Sequence, residues 1–178
     1  MNEAILFETE RMAFRRFTME DRETVNVFLR DPEVMYAWEH GFSEDEVTEW
    51  LEKNLGRYAQ YGYSWLCADD RKTGENIGAI GLIYNEDING EACWEIGYIV
   101  NKKFWGMGYA AEGARGCVRH AFDVIGTGRV ISQMRTNNAS SRAVAQKIGM
   151  KYVATYDRIH HGKKEPHDIY VIEKRQGG

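Results

Sequence analysis

Proline is nearly absent from this chain: Pro32 and Pro166 are the only two among 178 residues. No proline-rich or glycine–serine linker divides it, and it holds no repeat and no low-complexity tract. Residues 1–178 therefore read as one continuous domain. Cysteine is scarce and scattered. Cys67, Cys93 and Cys117 form no CxxC pair, and an odd count gives no disulfide framework. A reduced, cytoplasmic setting is the simplest reading. No run approaches the ~18 consecutive apolar residues of a membrane span. The start, "MNEAILFETERMAFRRF", is acidic early and lacks the apolar core of a secretory signal. A basic excess is missing too, since the formal net charge is −4, whereas nucleic-acid binders usually carry a strong positive balance. No membrane or nucleic-acid partner is expected, although Lys163 and Lys164 form a local basic patch.

What the chain does have is core material. Apolar residues make up 43% and aromatics 12%, enough for a folded interior. "RMAFRRF" (11–17) alternates and predicts a first strand. Thr18 then caps a helix that runs towards Arg30 and stops before Pro32. Ser43, with Glu46 three residues on, caps a second helix whose apolar stripe is Val47, Trp50, Leu51, Leu55 and Tyr58. From Tyr63 the period changes. "YSWLCA", "ENIGAIGLIY" and "ACWEIGYIV" predict three antiparallel strands, parted by turn formers at 69–74 and 85–90. Gly106 to about Ile125 reads as a long helix closed by Gly126 and Gly128. "RVISQMRT" is a fifth strand, "NNASSRAVAQKIG" a capped helix ending at Gly149, and "KYVATYDRI" and "HDIYVIE" two last strands. The fold class is mixed α/β. The histidine-rich "HHGKKEPH" (160–167) lacks the spacing of a tetrahedral metal set and reads as a hairpin loop, so no metal is expected.

The most informative run is "VNKKFWGMGYAAEGARG" (100–116). It carries four glycines in a region that must begin a helix, where each interior glycine costs roughly 1 kcal/mol relative to alanine. Amides at a helix N-terminus bind phosphate oxygens, and Gly106 and Gly108 leave room for a pyrophosphate to approach. Lys102 and Lys103 add charge. Neither the P-loop pattern nor the dinucleotide fingerprint fits: no Gly-Lys-Ser/Thr occurs, and "GMGYAAEG" puts its third glycine two positions late. Close packing of the helix on the sheet would equally explain small residues here.

"EIGYIVNKKFWGMGYAAEG" resembles the acetyl-coenzyme A loop of the GNAT superfamily of N-acetyltransferases. The family pattern Gln/Arg-x-x-Gly-x-Gly/Ala stands here as Lys103-x-x-Gly106-x-Gly108. A second family signature stands at Asn138, Ser141, Lys147, Ile148, Gly149 and Met150. The opening "ERMAFRRFTMEDRETV" resembles the RimJ/RimL branch. This resemblance covers nearly the whole chain. It implies the GNAT fold, a mostly antiparallel twisted sheet splayed between its fourth and fifth strands and flanked by helices, with acetyl-coenzyme A as co-substrate. It assigns the pantetheine arm to the backbone of Tyr98, Ile99 and Val100. Lys103, Phe104, Trp105, Gly106, Met107, Gly108, Tyr109 and Ala110 would hold the pyrophosphate region, with Asn138, Ser141 and Lys147 from the next helix. The implied reaction is direct attack of a primary amine on the thioester.

Three groups bear on that chemistry. Many family members use a tyrosine seven residues after the helix asparagine to protonate the departing thiolate. Here that position is Ala145, which leaves Ser141 as proton donor or relay, or as a support of the helix start. Asn138 would bind pantetheine or cap the helix. Glu95, on the strand leading to the turn, is the first candidate base, with a surface or salt-bridged glutamate as the plain alternative. His40 is the second candidate. It lies in the loop that forms the acceptor pocket in this family, where Tyr36 and Trp38 would line the pocket. Glu112 fits a structural hydrogen bond better. Acidic residues near that loop (Glu33, Glu39, Glu44, Asp45, Glu46) would suit a cationic acceptor or merely favour helix starts. The branch resemblance points to a protein N-terminal amine. A polyamine, amino acid or aminoglycoside is the alternative within the enzyme class, and a silent acyl-coenzyme A binding module the alternative outside it. Oligomeric state is not readable.

Overall fold

A computed structural model describes residues 4–177 of the chain. Alternation sets its first long strand: Met12 and Phe14 turn into the core while Ala13 between them stays partly exposed. Eight strands follow from such patterns: β1 (Phe7–Glu8), β2 (Met12–Arg16), β3 (Leu66–Asp70), β4 (Asn76–Ile88), β5 (Glu91–Val100), β6 (Arg129–Arg135), β7 (Lys151–His160) and β8 (Lys163–Glu173). They form one sheet in the order β1-β2-β3-β4-β5-β6-β8-β7. Every pairing is antiparallel except β5 with β6. The helices are α1 (Arg22–Leu29), α2 (Glu44–Tyr61), α3 (Tyr109–His120) and α4 (Ala139–Lys147).

The two N-terminal helix starts form as their sequences dictate. Thr18 and Asp21 close a reciprocal capping box on a short 3-10 turn that leads into α1. Ser43 and Glu46 do the same for α2, satisfying amides that would otherwise lack partners. The two faces of the sheet bury separate cores. Ile80, Ile96, Val130, Met134 and Tyr170 pack with Ala114, Cys117 and Val118 of α3 and Ala145 of α4. Cys67, Ala79 and Ile99 pack with Val25, Phe28 and Leu29 of α1 and Val47 and Leu51 of α2. Each large apolar side chain so buried contributes about 1.5–3 kcal/mol.

Several boundaries differ from expectation. The short strand β1 was not foreseen. It adds to the edge because Phe7 stacks on Phe14 at 4.5 Å, and it shifts the strand count, so the predicted fourth and fifth strands are β5 and β6. Strand β4 runs through the expected turn at Asn85 and absorbs a bulge before Ile88. The reversal is confined to Asn89 and Gly90, both at positive φ. The predicted long helix starts three residues late, at Tyr109, and its last turn, Ala121–Ile125, widens to π geometry. "HHGKKEPH" is only partly loop: His161 and Gly162 make the turn, and Lys163–His167 already belong to β8.

Candidate active site

The parallel pair β5–β6 is short. Its register holds only at Trp94↔Val130 and Glu95↔Ile131. Beyond those residues β5 continues with β4 as far as Gly78↔Val100, and β6 with β8 as far as Arg135↔His167. The strands therefore part, leaving the facing backbone edges of Ile96–Val100 and Ser132–Arg135 without strand partners. A cleft of about 1030 Å³ opens there. Unpaired strand edges are templates for an extended ligand.

At one end of the cleft, α3 begins. Gly106 (φ 75) and Gly108 (φ 81) hold left-handed conformations, which only glycine adopts without cost. No heavy atom lies within 4 Å of where a Gly106 Cβ would stand, and only Arg11 Nη2, at 3.6 Å, nears that of Gly108. Gly106, Gly108, Tyr109 and Ala110 line the cleft with Phe104 and Trp105. The first turn of α3 thus offers amides and the positive end of a helix dipole to open space, a fit for phosphate oxygens. Arg11, which the sequence reading did not single out, braces this turn. Its guanidinium donates to Met107 O at 2.9 Å and to Glu112 Oε2 at 2.5 Å, and it lies 4.0 Å over the Tyr109 ring. Glu112 is structural: burial would raise its pKa, but bonds from the Arg11 amide, Thr9 and the Arg11 guanidinium hold it below the ordinary value.

Lys103 and Met107 do not line the cleft. Lys103 pairs with Glu75 on the outer surface, Lys102 pairs with Glu33 at 2.8 Å, and the Met107 side chain is exposed. Lys147 reaches the cleft from α4. The Val100 carbonyl accepts from the Trp105 indole at 2.9 Å, which secures the strand end beside the turn.

The middle of the cleft meets the start of α4. Asn138 caps that helix, its Oδ1 accepting from the Ser141 amide at 3.1 Å and from Tyr36 Oη at 2.5 Å. Tyr98 Oη donates to the Ser141 carbonyl at 2.7 Å, and burial pushes the Tyr98 pKa up to about 12. Ser141 lines the cleft. Its amide and carbonyl are engaged, and hydrogen bonding of the Ser132 and Ser141 side chains to the Tyr98 phenol works against the rise in the Tyr98 pKa. Ala145 is fully buried, so its position serves the core.

Glu95 lies on the opposite face, with Cys93, Gly97 and Ile99. Its Oε2 accepts from Asn85 Nδ2 at 2.9 Å and from Gln133 Nε2 at 3.2 Å, and Gln133 in turn accepts from Tyr156 Oη. Burial pushes the Glu95 pKa up. The Gln133 bond and the charges of Arg158 and Arg57 pull it partly back. Tyr36 and Trp38 line the cleft near this end. His40 does not. It is exposed, and its Nε2 is bound to Glu46 at 2.8 Å, which raises its pKa. The acidic residues around it are largely spoken for: Glu33 by Lys102, Glu39 by Arg135 and Glu44 by Arg30. Among the described residues no cluster of three or more His, Cys, Asp or Glu could hold a metal. No helix there is long and apolar enough to cross a membrane.

Residues 11–151 match the family model described as "Acetyltransferase (GNAT) domain". The chain is 34% identical to the uncharacterized protein YkkB of Bacillus subtilis, over 87% of this chain and 90% of that one. It is also 34% identical to the FsC-acetyl coenzyme A-N(2)-transacetylase of Aspergillus fumigatus, over 88% and 71%. Its fold resembles that of RimL, a ribosomal L7/L12 alpha-N-protein acetyltransferase solved in complex with coenzyme A, with a TM-score of 0.75 over 96% and 98% of the chains at 15% identity. With the splayed strands and the glycine turn, these matches establish that the chain belongs to the GNAT acetyltransferase family, as an acetyl-coenzyme A-dependent N-acetyltransferase.

Proposed function

We propose that this enzyme acetylates the primary amine of a small molecule, that Glu95 takes the amine proton, and that Ser141 returns a proton to the departing thiolate. The carrying observation is the placement of Glu95. It is a desolvated carboxyl at the point where β5 and β6 part, on the α1–α2 face, whereas the phosphate-ready amides belong to the α3–α4 face. Two ligands entering from opposite faces would meet beside it.

Acetyl-coenzyme A supplies an activated thioester carbonyl. The α3 amides, backed by Arg11, would hold its pyrophosphate, and the free edge of β5 would bind its arm as an added strand. An unpaired β5 amide beyond Glu95 would donate to the carbonyl oxygen as it gains charge. An aliphatic amine is mostly protonated near neutrality, so its proton must leave before or during attack. A carboxyl with a raised pKa accepts that proton better than an ordinary surface carboxylate. The Ser141 hydroxyl, which lines the cleft beside the Tyr98 phenol, would relay a proton from water to sulfur.

The small-molecule reading draws on the 34% identical relative named FsC-acetyl coenzyme A-N(2)-transacetylase. It also draws on the acceptor end itself, bounded by α2 on one side and the β7–β8 hairpin on the other. The peptide N-terminus expected from the RimJ/RimL likeness has only the fold of distant neighbours behind it. Release of coenzyme A thiol, measured across a panel of small amines and N-terminal peptides, tests the proposal. Turnover confined to peptides would overturn it.

A further inference from the structure

The acceptor end of the cleft has more positive charge than its chemistry with an amine requires. Lys53 and Arg57, one turn apart on α2, and Arg158 on β7 all line it. None has a carboxylate within 4.0 Å among the described residues, in contrast to Arg135 in the same wall, which pairs with Glu165 at 2.9 Å. Arg57 spends one donor on the Tyr84 carbonyl at 2.9 Å, which fixes its guanidinium and leaves the others free. The side chains of Lys53 and Arg158 make no hydrogen bond among the described residues. The three charges are close enough to act on one another: partial desolvation, then Arg57 and Arg158, hold the Lys53 ammonium below its ordinary pKa.

Two plain explanations fall short. Separate solvated cations would not need to converge from two elements on one cavity in a chain whose net charge is −4. Service to Glu95 does not account for all of them either: its Oε2 is bonded by Asn85 and Gln133, and one carboxylate against three cations leaves two in excess. Nor do they serve the coenzyme's phosphates. Those fit the α3 N-terminus on the other face of the sheet, while α2 and the Arg158 side of β7 share the face of Glu95.

We propose that Lys53, Arg57 and Arg158 form a recognition site for an anionic group, a carboxylate or a phosphate, carried by the acceptor a few bonds from its amine. The acceptor class is therefore an anionic or zwitterionic amine rather than a polyamine or aminoglycoside. This rests on the small-amine reading and narrows it. Guanidinium binds either anion through paired donors, while Glu95 stands at the amine.

Isothermal titration of the coenzyme A-saturated protein with matched ligands tests it: O-phosphoethanolamine and γ-aminobutyrate against ethanolamine and butylamine. At least one anionic amine should bind roughly 10- to 100-fold tighter than its neutral match, the range for charge-assisted hydrogen bonds. Arg57→Gln and Arg158→Gln should each collapse that ratio towards one. The Arg158 side chain is exposed and has no hydrogen bond or ion pair among the described residues, so its variant keeps the test decisive if Arg57→Gln is destabilised. Equal binding of neutral and anionic partners, no saturable binding of either anionic amine, or an unchanged ratio in Arg158→Gln would each overturn the proposal. Thiol release is read separately. Turnover of amines without anion preference refutes this site and spares the small-amine reading, and anion-selective binding with turnover only of peptides does the reverse.

Discussion

Replacing Glu95 by Gln removes the proposed base while keeping its shape. The size of the effect follows from the amine. An aliphatic amine of pKa about 10 is neutral in roughly 1 molecule in 300 at pH 7.5 and in roughly 1 in 4 at pH 9.5. A base that captures the proton from the bound ammonium recovers that penalty, so Glu95→Gln should lower kcat/KM by roughly 300-fold at pH 7.5, inside the range for general-base catalysis. At pH 9.5 the defect should shrink to a few-fold. The wild-type profile should fall on the acid side as Glu95 takes its proton, at a pH above the ordinary glutamate value, because burial raises its pKa. Stability supplies an independent readout. A carboxyl with a raised folded pKa binds its proton more tightly in the folded state, so wild-type stability is lost as pH rises from the unfolded pKa through the folded one. Gln escapes that loss, and its amide oxygen can still accept from Asn85 and Gln133, which both bond one oxygen of Glu95. The melting temperature of the variant relative to wild type should therefore rise between pH 4 and pH 7.5. Stopped-flow measurement of the chemical step, with thermal melts on the same preparations, checks both. A defect equally large at pH 7.5 and pH 9.5, or none at either, would refute the base assignment.

The other expectations are quickly put. Acetyl-coenzyme A at 100 times its Kd should stabilise the fold by about 2.7 kcal/mol, and no thermal shift at millimolar ligand would contradict the fit of the α3 amides. Gly108→Ala should cost about 1–2 kcal/mol through its φ of 81 and weaken the coenzyme, with Gly108→Asn milder in urea unfolding because asparagine tolerates that conformation. Ser141→Ala should reduce kcat by roughly 10- to 1,000-fold with little change in coenzyme Kd. Tyr98→Phe, which removes a brace on α4, should cost about 1 kcal/mol of stability and leave kcat near wild type. A reversal of those two results would move the proton donor to Tyr98.

What was legible in the sequence was local. Both capping boxes depend on residues three apart, so Thr18 with Asp21 and Ser43 with Glu46 could be read directly. The glycine turn was legible because left-handed backbone selects glycine and a helix start follows at once. The role of Arg11 was not, since its partner Glu112 lies 101 residues away and nothing in "ERMAF" announces it. His40 and Lys103 illustrate the converse. Each stands in the right segment, and each is claimed by a neighbouring carboxylate that spacing alone does not reveal.

The face on which β7 presents its charges was the least legible feature, and the proposed anion site depends on it. Side chains on a strand alternate, so Tyr152, Tyr156 and Arg158 would share one face if β7 were regular. Tyr152 pairs with Tyr170, which belongs to the core beneath α3 and α4. Regular alternation would therefore turn Arg158 towards that core face and away from Glu95. The register instead jumps between Tyr152 and Ala154, so that Ala154 meets Ile169 and Tyr156 meets His167. One extra residue, Val153, reverses the parity of everything after it. Tyr156 then reaches Gln133 beside Glu95, and Arg158, two positions on, joins Arg57 at the acceptor end. "KYVATYDRIH" contains no glycine or proline to mark that bulge. Its position follows from packing: Tyr152 meets Tyr170 edge to face at 5.9 Å on one face, while Tyr156 packs against the Ile131, Ile169 and Val171 cluster on the other. A strand with apolar anchors on both faces must change parity between them, and this change places a guanidinium where an acceptor would enter.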